Sequence, residues 1–521
     1  MVSIGGIIVV VFYFVLLLFI GAAATAKIKT SSDYLVAGRS LGFWMFVMLV
    51  LGSVVSGMTL LGVAGLGSTG GWPTFWEQLF VPLTCGIMIV YYGYKLYEVC
   101  HKNNFNTLQD YLAYRFESPR AVRSIASFAV LVTSLIYLVG QYDAISIVLR
   151  SILGVSQFYA LLIGVFIVVI YVLLGGLYAV AWTNLFQGII IVIGVVIMAP
   201  MVINAAGGLS FINQTLAAKD PNLVQIAFPQ AKPYAPYAVF TPWFIISWFF
   251  LLALGLGSAP HIINNVIAVK DKKLFRWSPF IIVALYLVIM YLIKITGMGV
   301  ATLVNTGQIA MVKPGAVATA AEAGKIIITR PDDAFIAGIK YAMPNDFIWS
   351  IFAVVVLAAV MSTTDRLLLV IGTACGWDFY KQIFRKNASS KEITMVSRIA
   401  VLVFGTISFF LALMRTDQLL AWLIWMGIGI MLSTFVAPIL FGLYWKRATK
   451  QGAIWSMITG FVSAFIFGGI HQWVKKLPVH YSLYSFIIAV VVMIVVSLLT
   501  KKPSDQLLAD SLTGPFIRSK K

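Results

Sequence analysis

Charge is the scarcest property of this sequence. Only 11% of its 521 residues are charged, where soluble domains carry about 25%. The whole chain has 18 acidic residues, 4 histidines and 3 cysteines. So thin a charged complement excludes a cytosolic enzyme, a nucleic-acid binder and a disordered chain. Cys85, Cys100 and Cys375 are too few and too scattered for a disulfide framework or a metal cluster. No H-E-x-x-H or G-x-S-x-G motif occurs, and no two acids lie one helical turn apart inside a hydrophobic stretch. Intramembrane hydrolysis therefore lacks its chemistry, and no enzyme activity is expected.

Apolar residues fill the space, at 61% of the chain. Thirteen stretches of spanning length lie near 2–26, 42–67, 76–99, 122–151, 156–175, 179–204, 240–267, 278–304, 346–376, 396–415, 418–445, 451–471 and 480–500. Each reads as a helix, because a bilayer core offers the backbone no water and a helix satisfies its own polar groups. The first stretch has no basic lead and is too long for a signal-peptide core, so it reads as retained. The fold class is an all-α integral membrane protein of about 13 transmembrane helices.

The net charge of +19 has a topological reading. With the N-terminus outside, the inner loops and tail hold 25 Lys and Arg against 10 in the outer loops. Six of those ten sit in the long loops 205–239 and 305–345, and long loops weigh little in orientation. The chain is expected in the cell membrane, N-terminus outside and C-terminus cytoplasmic. Amphipathic stretches at 208–218 and 333–343 predict short helices over the outer mouth, with packed connectors as the equal alternative. "TLQDYLAYRF" at 107–116 predicts an interfacial helix on the inner side, with a packed connector as the equal alternative.

Two spans are poorly built for unbroken helix. The stretch 42–67 carries Gly52, Ser53, Ser56 and Gly57 at mid-depth, and 240–267 carries Gly255, Gly257, Ser258 and Pro260. Gly costs about 1 kcal/mol and Pro about 3 in a helix interior. Close packing through small residues would explain either span alone. The two are five spans apart, however, so each is the first helix of a copy if spans two to six and seven to eleven are inverted repeats. Paired discontinuous helices near the midplane mark transporter binding sites, because freed carbonyls can replace a cation's hydration shell. The span 346–376 places Ser362, Thr363, Thr364 and Asp365 in one turn. Single hydroxyls bond back to their own helix, but four polar residues in succession exceed that need. Backbone carbonyls and hydroxyls are one way to assemble the about five or six oxygens a hard cation such as Na+ takes.

The chain resembles the sodium:solute symporter family at "DYLVAGRSLGFW" (33–44), "GGLYAVAWTNLFQG" (175–188), "PHIINNVIAVKDKK" (260–273), "AAVMSTTDRLLL" (358–369) and "GLYWKRATKQGA" (442–453). Within that family, "AAGGLSFINQTLAAKDPNLV" (205–224) and the Trp-Lys-Arg-Ala turn at 445–448 most resemble the pantothenate-permease branch. The resemblance implies an inverted five-plus-five helix repeat core (the LeuT-type fold) working by alternating access. Residues 1–30 would be an extra N-terminal helix, 42–204 the first repeat and 240–445 the second. Residues 451–500 would be two C-terminal helices, and 501–521 a short cytoplasmic tail. Na+ is the implied coupling ion, held by the carbonyls of Gly52, Val55 and Ala359 and the hydroxyls of Ser362 and Thr363. Three departures stand out. Many members carry an Asp, associated with a second sodium site, where this chain has Asn184 followed by Gln187. An Arg often found near the end of the sixth core helix is replaced by Asn265. Asp143 stands where an apolar residue is usual.

Gln141 and Asp143 are two residues apart and so lie on different faces of one helix. Gln141 reads as a substrate contact. Asp143 reads as a coupling candidate, weighed against an acid merely solvated near the outer end. Asn184 and Asp365 are further coupling candidates. Around the two breaks, Ser56, Met58, Thr59, Trp248, Gly257 and His261 are candidate substrate residues. Lys294 is expected to pair with an acid. Asp365 and Arg366 point about 100° apart and need separate partners. Tyr178 and Trp182 are expected as interfacial anchors.

The expected function is Na+-coupled import of a small organic solute such as pantothenate, with one Na+ per solute. Short monocarboxylates, proline or other amino acids, sugars and H+ coupling are the alternatives. A channel would need a continuous lined pore, which paired broken helices oppose. A transporter-derived sensor would need an effector domain, and about twenty residues after Lys501 are too few. The expected partners are the solute and the lipid bilayer, with no organic cofactor, nucleic acid or obligatory protein partner.

Overall fold

The computed structural model describes residues 4–229, 240–312, 324–414, 420–474 and 477–511. Expected features at 230–239, 313–323, 415–419 and 512–521 lie outside these residues: parts of both long loops, the ends of two spans and about half of the tail.

Helices dominate in the order α1 (Ile4–Thr25), α2 (Phe43–Val54), α3 (Met58–Gly70), α4 (Trp72–Asn103), α5 (Leu108–Arg115) and α6 (Ala121–Leu153). There follow α7 (Gln157–Ala205), α8 (Gly208–Lys219), α9 (Pro242–Ser258), α10 (Pro260–Ala268) and α11 (Ser278–Asn305). A short parallel pair, β1 (Ile309–Met311) and β2 (Ile326–Ile328), precedes α12 (Ala334–Ala342). The chain continues through α13 (Asp346–Phe384), α14 (Ser390–Leu413), α15 (Leu420–Tyr444), α16 (Lys450–Gly469) and α17 (Ser482–Leu499).

Among the described residues, ten helices are long and apolar enough to cross a membrane, or twelve with each bent pair counted as one span. The bent pairs are α2–α3, at 58°, and α9–α10, at 50°. The run α7 is 49 residues long, about 73 Å at 1.5 Å per residue against a bilayer core of about 30 Å. It breaks at Gly176, whose backbone is left-handed at φ 47°. A Cβ there would stand 2.6 Å from the carbonyl oxygen of Tyr34, so only glycine fits. Thirteen spans are reached only if the two arms of α7 count separately.

The bundle's interior is organised by α13 and α15, which are buried nearly all round. Both pack on α6; α13 also meets α7 and α1, and α15 meets α16 and α17. Helices close up where glycine removes the side chain: a Cβ on Gly297 would overlap the Ala64 carbonyl, and one on Gly460 that of Ser433. The outer-loop expectations appear as α8 and α12. The interfacial reading of 107–116 needs correction. Helix α5 is buried, and Arg115 donates to the Gly442 and Trp445 carbonyls at 2.8 and 3.1 Å. An arginine buried at the end of α5 and spent on the carbonyls that close α15 cannot sit at a lipid surface, so the packed connector is what forms.

Candidate functional site

The first break follows from its composition. After Val54 the backbone turns extended at Val55 (φ −78°, ψ 106°), and helix resumes at Gly57. A break frees carbonyls that must find other donors. Tyr286 on α11 donates its hydroxyl to the Val54 carbonyl at 2.9 Å. Thr363 on α13 faces two more, its Oγ1 lying 2.9 Å from the Gly52 carbonyl and 3.2 Å from that of Val55. On the resuming side, the Gly57 amide donates to Gln141 Oε1 at 3.0 Å, and the Ser56 amide to Thr59 Oγ1 at 3.2 Å.

The five expected cation ligands are thus brought to one place. Gly52, Val55 and Thr363 share the contacts above. The Ser362 hydroxyl donates to the Ala359 carbonyl at 3.0 Å, and its Cβ faces Gly52. Asn184 on α7 joins them: a Cβ on Gly52 would overlap its Oδ1, so Gly52 must be glycine for α7 to approach. The chemistry of this set is oxygen only, three carbonyls and two hydroxyls, which suits a hard monovalent cation.

The second break lies at Ala259, extended at φ −63° and ψ 125° between Ser258 and Pro260. Proline supplies no N–H and fixes the turn into α10. Thr84 on α4 donates to the Leu252 and Ala253 carbonyls above it. The two broken helices are tied together by Asn265, which donates to Ser53 Oγ at 3.0 Å. Arg366 reaches across from α13, donating to the His261 carbonyl at 3.1 and 3.3 Å.

Beside the first break lies a narrow cavity of about 10 Å³, room for about one water molecule. Ser56, Met58 and Thr59, three of the candidate substrate residues, line it together with Tyr137 and Tyr286. Sequence reasoning missed both tyrosines. A signal existed: Tyr137 stands one turn before Gln141, and each is a phenol inside a span, where a hydroxyl needs a partner. Gln141, Trp248, Gly257 and His261 are buried but do not line this cavity. Gln141 caps α3. His261 packs edge-on to Tyr137, ring centroids 5.4 Å apart. Gly257 lies against α4, beside the Thr84 carbonyl.

Trp248 belongs to a layer that closes one side of the cavity. Leu252, Ile428, Val81 and Met290 line the cavity. One turn from each on its own helix stand Trp248, Trp425, Glu77 and Lys294. The two indoles pack edge-on at 4.7 Å, and Lys294 Nζ lies 3.3 Å from Glu77 Oε2. All four side chains are fully buried. Lys294 therefore has the acid partner expected of it.

Asp143 stands apart from both breaks. Its carboxylate pairs with Arg330, between β2 and α12, at 3.4 Å. A wider cleft of about 700 Å³, lined by Arg150, Lys325, Arg330, Asp333 and Lys340 among others, shares no residue with either break. Asp365 accepts from the Tyr171 hydroxyl at 3.0 Å and from Asn184 Nδ2 at 3.1 Å. Tyr178 meets Ser40 at 3.1 Å near the surface, and Trp182 is half-buried.

Comparison with known proteins places this geometry. The pattern of the family described as "Sodium:solute symporter family" matches residues 34–460. The osmoregulated proline transporter OpuE of Bacillus subtilis (strain 168) is 28% identical over 504 residues, covering 94% of this chain and 93% of that one. The sodium/proline symporter of Haemophilus influenzae is also 28% identical, covering 94% of each. Among solved structures, a substrate-bound, outward-open Na+-coupled sialic acid symporter superposes with a TM-score of 0.77. It is 17% identical and covers 96% of this chain and 99% of that one. That likeness shows the fold, an all-α transporter bundle of the LeuT type.

Proposed function

The chain belongs to the sodium:solute symporter family, whose members are transporters and not enzymes, and from that premise we propose that it imports a small carboxylate-bearing solute together with Na+. It is a multi-pass membrane protein and a Na+-coupled solute symporter. The finer reading is that the carbonyls of Gly52, Val55 and Ala359 and the hydroxyls of Ser362 and Thr363 take the Na+. The space between Ser56, Met58, Thr59, Tyr137 and Tyr286 holds about one water as it stands, and the solute enters there as the broken helices part, with Gln141 and His261 behind it.

The observation that carries the reading is the Thr363 hydroxyl lying on the two carbonyls released by the first break, with Ser362 beside Gly52. With Na+ between these oxygens, the hydroxyl would turn its proton away and present a lone pair, as the two carbonyls already do. Carboxylate as the solute's common group is supported from two directions. The relatives above are proline transporters, and the loop at 205–224 resembles pantothenate permeases. The repeats are read as 42–204 and 240–445, alternating around this site. The orientation is N-terminus outside and C-terminus cytoplasmic in the cell membrane, supported by the excess of Lys and Arg on the inner loops.

A competition screen tests it. Na+-driven uptake into proteoliposomes would be challenged with pantothenate, proline, short monocarboxylates and sugars. Competition by a carboxylate-bearing compound is expected. Competition by sugars alone would overturn the solute class.

A further inference from the structure

We propose that Asn184 and Asp365 complete this same cation site, Asn184 Oδ1 as a sixth oxygen and the Asp365 carboxylate behind it as the site's negative charge. The inference rests on the five-oxygen Na+ reading above and adds to it two side chains that the reading does not use.

All five proposed ligands are neutral. Stripping water from Na+ in a protein interior is costly, and dipoles alone offset it less well than dipoles with a charge behind them. Asp365 is the carboxylate available. It is fully buried, one residue beyond Thr364 on the ligand-bearing turn of α13. Among the described residues no Lys or Arg forms an ion pair with it. The guanidinium of its neighbour Arg366 is turned to the His261 carbonyl.

The amide of Asn184 connects this charge to the site. Its Nδ2 donates to both carboxylate oxygens, at 3.3 and 3.1 Å. That fixes which way the amide faces. Oδ1 must then point away from Asp365, and it does, against Gly52 and toward the turn that bears Ser362. There it is buried and has no hydrogen-bond partner among the described residues. A buried carbonyl oxygen without a donor asks for an explanation, and a cation held between Gly52 and Ser362 supplies one.

A separate cation site on Asp365 itself fits the geometry less well. The carboxylate meets the Tyr171 hydroxyl at 3.0 Å, the Asn184 amide, and the Thr183 hydroxyl at 3.4 Å. The first two aim hydrogens at it. Thr183 donates its hydroxyl to the Ala179 carbonyl, with Oγ1 at 3.0 Å. These are groups that stabilise a bare carboxylate, not lone pairs arranged for a second ion. The charge acts at one remove, through the Asn184 dipole.

The test uses the purified full-length protein, with Na+ replaced by choline and binding read from melting temperature and tryptophan fluorescence, and ²²Na+ equilibrium binding for the count. Asp365→Asn and Asn184→Ala are each expected to raise the Na+ constant about tenfold or more, and the double variant no further than the stronger single one, because the two act in series. Should Asp365→Asn fail to fold, Asn184→Ala alone decides, since it leaves the carboxylate and its tyrosine in place. A Na+ constant within about twofold of the original in Asn184→Ala, with Ser362→Ala shifted, overturns this inference and leaves the five-oxygen reading standing. Two Na+ bound per chain, one of them lost in Asp365→Asn, overturns it in favour of a separate site. If Ser362→Ala and Thr363→Ala also leave Na+ binding unchanged, both readings fall.

Discussion

Replacing Thr363 by Val keeps the branched volume in a fully buried position and exchanges one hydroxyl for a methyl. In the folded protein that hydroxyl serves the Gly52 and Val55 carbonyls at 2.9 and 3.2 Å. With a single proton to give, it satisfies one acceptor at a time, so its loss should cost about 1–2 kcal/mol in the absence of Na+. The larger effect falls on the ion. Removing one of about five oxygens, at 1–2 kcal/mol, raises the Na+ constant roughly five- to thirty-fold. At a Na+ concentration of about 100 times the dissociation constant, ligand binding adds about 2.7 kcal/mol of stability, and a tenfold weaker variant retains about 1.4. Melting curves in Na+ and in choline separate the two terms. The choline curve reports the lost hydrogen bond, and the difference between curves reports the lost ligand. Thr363→Ser, which restores the hydroxyl, should recover both. If Thr363→Val keeps the full Na+ increment, the hydroxyl is not a ligand and the site is misassigned.

Three further outcomes are expected. Glu77→Gln leaves the Lys294 ammonium buried without an acid, so it should cost about 3–5 kcal/mol in unfolding measurements; Glu77→Leu with Lys294→Met should recover most of that, and no recovery would mean that the pair is not the source of the loss. Gly297→Ala puts a Cβ onto the Ala64 carbonyl and should lower the melting temperature by pushing α11 off α3, whereas an unchanged value would deny that the helices touch there. Reversal potentials in proteoliposomes should give one Na+ per solute: zwitterionic proline would then move one charge, worth about 2.3 kcal/mol per 100 mV, while anionic pantothenate would move none. Two Na+ per solute would defeat that stoichiometry.

Much of the site was legible because its residues are exceptions to their surroundings. Glycine and serine at mid-depth in 42–67, proline in 240–267, and four polar residues from Ser362 to Asp365 are each costly in a span, and each sits at a break or against one. What the sequence could not convey was who answers whom across helices. Tyr137 and Tyr286 looked like ordinary aromatics, because what distinguishes them is a cavity built from five other elements. Asp143 looked functional because it is ionisable inside a span, yet its partner Arg330 comes from a loop 187 residues later. The same holds for Asp365 and Arg366. Their divergence by about 100° was predictable from helix geometry, but not that one turns to α7 and the other to α10. Composition likewise gave the reading of 107–116 as interfacial, since amphipathic character alone does not separate a lipid surface from a groove between protein helices.

Na+ coupling through the first break is tested most directly by counting what moves. Purified protein would be reconstituted into liposomes, loaded without Na+ and clamped at zero potential. Uptake of labelled proline and labelled pantothenate would then be followed with Na+ outside, with choline outside, and with an inward proton gradient alone. Accumulation of at least one of them with Na+ outside, abolished in choline and strongly weakened in Ser362→Ala with Thr363→Ala, is the expected result. Accumulation driven equally by the proton gradient, or unchanged Na+ dependence in the double variant, would contradict it.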